Sequence, residues 1–135
     1  TAVGGDIIDC GDIMGSSGAH VGITVRGATT IESTLLSSGS SGMPNPPDFT
    51  LTSADNGKIV LIIGYLDDDQ PSGILPPSTF TFLDTVTTVA GSSVASVMVA
   101  FAIYEHGVTE TSDLIFTASG GTSSDSWKAN TVILG

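Results

Sequence analysis

Residues 94–104 alternate with a period of two. Ala95, Val97, Val99, Phe101 and Ile103 form one row, and Val94, Ser96, Met98, Ala100, Ala102 and Tyr104 form the other. Neighbouring side chains of a strand point to opposite faces. The pattern predicts a strand whose bulky apolar row enters a core while the small, mixed row stays half exposed. Val94, Val97, Met98 and Phe101 also fit a helical stripe that Ser92 or Ser93 would cap. The β-branched content favours the strand.

The same alternation recurs along the chain. Val21, Ile23 and Val25 oppose His20, Thr24 and Arg26 in a predicted strand over 20–26, and Gly27 predicts a bulge or bend before 28–36. A Ser/Gly loop over 37–42 leads to Met43-Pro44-Asn45-Pro46-Pro47-Asp48. Prolines cannot donate to a ladder, so that connection is expected outside a sheet or along an edge. A short strand is predicted over 49–52, then a turn at Asn56-Gly57. Residues 58–65 present Ile59, Leu61, Ile63 and Tyr65 on one face and Val60, Ile62 and Gly64 on the other. Both are apolar, which predicts a strand covered on both sides or meeting another protein chain on one. A long connection over 66–77 precedes Phe80 and Phe82 alternating with threonines. Short strands follow over 114–117 and 126–134, the last with Trp127, Ala129, Thr131 and Ile133 on one face. Strands separated by Gly, Ser and Pro turns predict an all-β fold, an antiparallel β-sandwich or jelly roll. Residues 1–19 are expected to form an extended N-terminal arm, and residues 20–135 a single β-sandwich domain.

Charge sharpens this picture. Three Lys and Arg stand against 14 Asp and Glu, for a net charge of -11. Arg26, Lys58 and Lys128 are dispersed, so there is no cationic footprint for nucleic acid or an anionic membrane. The acidity keeps the surface solvated or steers it to a cationic partner. The single Cys10 excludes an intrachain disulfide. No basic, apolar leader opens the sequence, which predicts a signal peptide absent or already removed.

Candidate chemistry is sparse. His20 and His106 are the histidine bases, and neither sits in a recognisable catalytic setting. No metal site is expected; Asp67, Asp68 and Asp69 are weak candidates for calcium, lacking the spacing and distal Glu of an EF-hand loop. Gly120-Gly121 lacks the Lys-Ser/Thr of a phosphate cradle. Trp127 can anchor the core or stack on a sugar, and the core reading is favoured. No cofactor and no enzymatic activity are expected.

Thr24-Val25-Arg26-Gly27-Ala28-Thr29-Thr30, the Pro-rich 43–47, Asn56-Gly57-Lys58-Ile59-Val60-Leu61-Ile62, Asp67-Asp68-Asp69 and Pro76-Pro77-Ser78 form a run of strand-and-turn words. Phe101-Ala102-Ile103-Tyr104, Leu114-Ile115-Phe116-Thr117, Ser119-Gly120-Gly121 and Ser126-Trp127-Lys128-Ala129 continue it. The run resembles the β-sandwich module of tailed-phage virion proteins and some bacterial surface proteins, its single-domain members being capsid cement, or decoration, proteins. Pro77-Ser78 leads into Thr79-Phe80 where that module usually has Gly-Trp. The resemblance implies a viral structural protein, a homo-oligomer with a trimer favoured, on the outer capsid surface of the virion. There it would bridge major capsid protein subunits and bind neither nucleic acid nor membrane. The arm, with Ile7, Ile8 and Ile13, is then expected to grip the capsid. Val60, Ile62, Met98 and Ala100 are expected to pack against sister subunits or a second layer. The alternatives are a phage tail or fibre subunit and a secreted, extracellular adhesion or carbohydrate-binding module that uses Trp127 and Tyr104.

Overall fold

Antiparallel pairing organises the chain, and the hydrophobic rows fix its register. The computed structural model describes residues 23–40, 42–67, 72–90, 93–103, 114–120 and 126–135. The strands are β1 (Ile31–Gly39), β2 (Ile59–Asp67), β3 (Ser72–Leu75), β4 (Thr81–Ala90), β5 (Ser93–Ile103), β6 (Thr117–Gly120) and β7 (Trp127–Leu134). A 3₁₀ turn spans Ser53–Asp55. Five strands form one sheet in the order β1-β7-β2-β5-β4, and β3 pairs with β6 in a separate ladder. Every pairing is antiparallel. The all-β expectation is met, and residues 93–103 are strand.

Three connections step over a strand to reach a parallel neighbour. They are β1→β2 across β7, β2→β4 across β5, and β5→β7 across β2. The first two step the same way across the sheet from strands of one direction. The third steps back from a strand of the opposite direction, and the two reversals cancel. Connections of one hand therefore all fall on one face. The described parts of all three do. Met43, Phe49 and Leu51 of the first, Phe80 and Ile74 of the second, and Leu114, Phe116 and Ala118 of the third join Val60, Ile62, Leu66 and Ile133 of the sheet in one core. Ile62, Leu66, Leu114 and Phe116 are fully buried. Burial of each such side chain contributes about 1.5–3 kcal/mol relative to exposure.

Where the cover comes closest to the sheet, the sheet has a glycine. In register, Gly64 lies between Ala129 and Met98, and Val60 lies between Ile133 and Ala102. A Cβ on Gly64 would stand 2.8 Å from Pro44 Cβ and 3.1 Å from Phe116 Cδ2. The glycine lets both rings sit directly on the sheet. Trp127 packs against the same core, with its indole over Gly39. The bulky row of β5 was expected in the core. Val99 of that row is buried, but on the face opposite the crossovers, where Ile103 is exposed, while Ala102 of the small row packs against the core cluster.

Segment 43–52 makes no strand, although strand was expected over 49–52. Its alternation is real: Phe49 and Leu51 are buried, Thr50 and Thr52 exposed. Its carbonyls are satisfied outside any ladder. Phe116 N donates to Pro44 O at 3.0 Å. Ser37 Oγ donates to Asn45 O and Thr131 Oγ1 to Pro47 O, each at 2.6 Å. Thr131 is fully buried, and this bond is what makes its hydroxyl tolerable there. Other expected boundaries shift. Residues 23–25 are not strand, and the bend falls at Arg26 and Gly27, whose φ is 94°. Backbone bonds from Thr29 and Thr30 to Gly135 O tie the start of β1 to the end of β7. β1 runs on through Gly39, β6 begins only at Thr117, and β3 lies within the expected long connection.

One ionic group fastens the β1→β2 crossover. The Asp55 carboxylate accepts from Thr52 N at 2.6 Å and Thr52 Oγ1 at 2.9 Å. Lys58 Nζ reaches Asp55 at 2.7 Å and also pairs with Glu32 of β1. The Lys58 bond, then those from Thr52, lower the Asp55 pKa from 3.8 to about 2. Asp55 and then Glu32 raise that of Lys58.

Two predictions follow from this packing and this ion cluster. Gly64 lies in a strand, where alanine would ordinarily help by about 0.5–1 kcal/mol. The contacts to Pro44 and Phe116 reverse the sign, so Gly64→Ala should lower stability by about 1–3 kcal/mol in urea denaturation. The Asp55 contribution to stability is complete above the ordinary 3.8 and disappears as pH falls towards about 2. Asp55→Asn should therefore lower the urea midpoint at pH 7 and flatten its decline on acidification across that window.

Candidate functional site

The residues expected to carry chemistry do not converge on a described site. His20, His106, Asp68 and Asp69 lie outside the described residues, and Asp67 closes β2 opposite Ala95. Among the described residues no three His, Cys, Asp or Glu side chains group as a metal site. Glu32 and Asp55, which do approach each other, share Lys58 between them. Trp127 is half-buried against the core, the position the core reading gives it. Among the described residues no helix is long and apolar enough to cross a membrane.

Of the two outcomes expected for Val60 and Ile62, sister subunits or a second layer, the second is found. Val60 and Ile62 are 1% and 0% exposed, and both belong to the core beneath the chain's own crossovers. A sister subunit cannot reach them; the second layer over them is made by residues 43–51, Phe80 and 114–118. Met98 and Ala100 pair in register with Gly64 and Ile62. Ile7, Ile8 and Ile13, with the arm and Tyr104, lie outside the described residues.

The opposite face of the sheet is the one with apolar surface to spare. Its rows follow from the register. Ile31, Leu134, Ile59 and Ile103 line up across four strands. The next row passes through Thr34, Val132, Leu61 and Phe101, and the next through Leu36, Asn130, Ile63 and Val99. Leu61, Val99 and Leu134 are buried; Ile59, Ile63, Tyr65 and Val132 are half-buried. Ile31 is 70%, Leu36 73% and Ile103 58% exposed. None of the core cluster lies on this face. Across β7, β2 and β5 these three rows hold no charged residue, and Asp84 of β4 continues the third of them beside Val99. Thr34 and Asn130 are polar positions in these rows, and Ile31, Leu36 and Ile103 are the exposed aliphatic side chains, of the kind a protein partner removes from water.

Gly64 was the sequence signal for which face is which. A glycine in the middle of an apolar strand row marks close approach by another segment, so the Val60-Ile62-Gly64-Leu66 row was the one to be covered. The spare face was the row that has no glycine.

The chain matches no protein-family model, no curated protein and no solved structure.

Proposed function

We propose that this chain is a non-enzymatic structural subunit, a cement subunit that binds the outer surface of a phage head and bridges its major capsid subunits. The observation that carries this reading is the set of exposed aliphatic side chains Ile31, Leu36 and Ile103 on one sheet face of an acidic molecule. A subunit of this kind works by burying surface against neighbouring protein. The acidity supports an outward position, because a negative protein is repelled by packaged DNA. The run of strand-and-turn words from Thr24 to Ala129 supports the particle type.

The test is reconstitution on purified heads that lack the protein. Saturable binding is expected, with an upward shift in the temperature at which the heads release DNA. Failure to bind such heads, with copurification on tails instead, would overturn the capsid assignment.

A further inference from the structure

We infer that Asn56 is a modification site, converted by its own backbone to aspartate and isoaspartate, and that the Glu32–Lys58–Asp55 ion cluster controls how fast. The inference does not rest on the capsid reading. Of the three asparagines, Asn56 alone precedes glycine. Asn45 precedes Pro46, whose nitrogen carries no hydrogen to give up. Asn130 lies within β7, between Leu36 of β1 and Ile63 of β2. Asn56 is exposed, and beyond the chain neighbours no atom lies within 4 Å of where a Gly57 Cβ would stand. The Gly57 nitrogen is therefore open to attack chemistry that a side chain would obstruct.

The reaction balances with water alone. The Gly57 nitrogen attacks Asn56 Cγ, and the Cγ–Nδ2 bond breaks. The Gly57 amide proton passes through water to the leaving nitrogen, which departs as ammonia. The five-membered imide then takes up one water molecule. Opening at Cγ leaves aspartate. Opening at the backbone carbonyl leaves isoaspartate, with the main chain running through the former side chain. Nothing is oxidised or reduced. Either product adds a carboxylate beside Asp55, ionised at neutral pH, to a chain already at -11. Isoaspartate also lengthens the main chain between Asp55 and Lys58, the two residues whose side chains pair there.

The fold holds this reaction back. Lys58 N donates to Asp55 O at 3.0 Å, and Asn56 (φ -56°, ψ 130°) and Gly57 (φ 88°) between them complete a type II turn. Ring closure needs the Asn56 Cβ and the Gly57 nitrogen on the same side of the Cα–C bond, which requires a negative ψ. At 130° the two point apart, far from an attack geometry. Reaching that geometry swings the Asn56–Gly57 peptide around and breaks the Lys58 N–Asp55 O bond. Both residues of that bond are pinned through their side chains. Glu32 and Asp55 hold Lys58 Nζ, and Thr52 N and Oγ1 hold the Asp55 carboxylate. The turn must therefore open locally before Asn56 reacts.

Ageing the full chain at neutral pH, with peptide mapping and enzymatic methyl labelling of isoaspartate, tests this. Label is expected in the peptide that holds residue 56 and not in those that hold Asn45 or Asn130, with ammonia released in step. The rate in buffer should lie at least about tenfold below that of the same chain unfolded in urea. The double variant Glu32→Gln/Thr52→Val leaves the four turn residues unchanged and weakens both pins. It should age about fivefold faster than the parent in buffer, with its circular dichroism unchanged. Asn56→Ser should give no label at this position. A folded parent that ages as fast in buffer as in urea overturns the gate, as does a folded double variant with the parent's rate. An Asn56 that stays intact in buffer for many times the period needed in urea overturns the modification site, and label that appears first at Asn45 or Asn130 does the same.

Discussion

Each of the three long connections has to cross one strand of the order β1-β7-β2-β5-β4, and the described parts of all three lie over the same side. This one topological constraint decides which apolar row becomes core. It brings Met43, Phe49, Phe80, Leu114 and Phe116 onto the Val60 side. It also leaves the opposite side, with Ile59, Leu61 and Ile63, to whatever the sheet's own neighbours can cover. Hydrophobicity of the rows alone does not break that tie, because both are apolar. The volume of the connections does.

A bulky cover without regular structure raises a polar problem. Proline-rich backbone has carbonyls but few donors, and buried carbonyls need partners. The sheet solves this with its own hydroxyls. Ser37 on the edge strand and Thr131 on β7 reach up to Asn45 O and Pro47 O, and Phe116 N closes on Pro44 O from the third connection. The Ser and Thr content of the strands is thus partly structural. Two of these residues point inward to serve the cover rather than outward to water. Asn45 Oδ1 is the one buried side-chain polar atom without such a partner among the described residues.

Much of this was legible in the residues. The two-fold alternation of 94–104 and 126–134 located β5 and β7, and it grouped Trp127, Ala129, Thr131 and Ile133 on one face, which is the core face of β7. Asn56-Gly57 marked its turn, where Gly57 has φ 88°. Assignment by bulk held only in part. Of the large row of β5, Val99 is buried and Ile103 exposed. The volume over the Val60 side came from Met43, Phe49 and Leu51, far from β5 in the chain, which no local window contains. The strand expected at 49–52 failed similarly: alternation reports which side is buried, and a segment lying on a sheet is buried on one side without pairing. β3 was missed because four residues carry too short a pattern to separate from a loop.

The surface left by this arrangement has its own logic. Net charge of -11 on a chain with three cations produces repulsion that extends about 10 Å at 0.1 M salt, so close approach between copies is opposed over most of the molecule. An apolar patch on a weakly charged protein would associate without preference for orientation. On a strongly charged one the patch becomes the permitted contact, and the surrounding acid supplies the discrimination. Lys58 sharpens this, because it is bound between Glu32 and Asp55 and leaves Arg26 and Lys128 as the exposed cations.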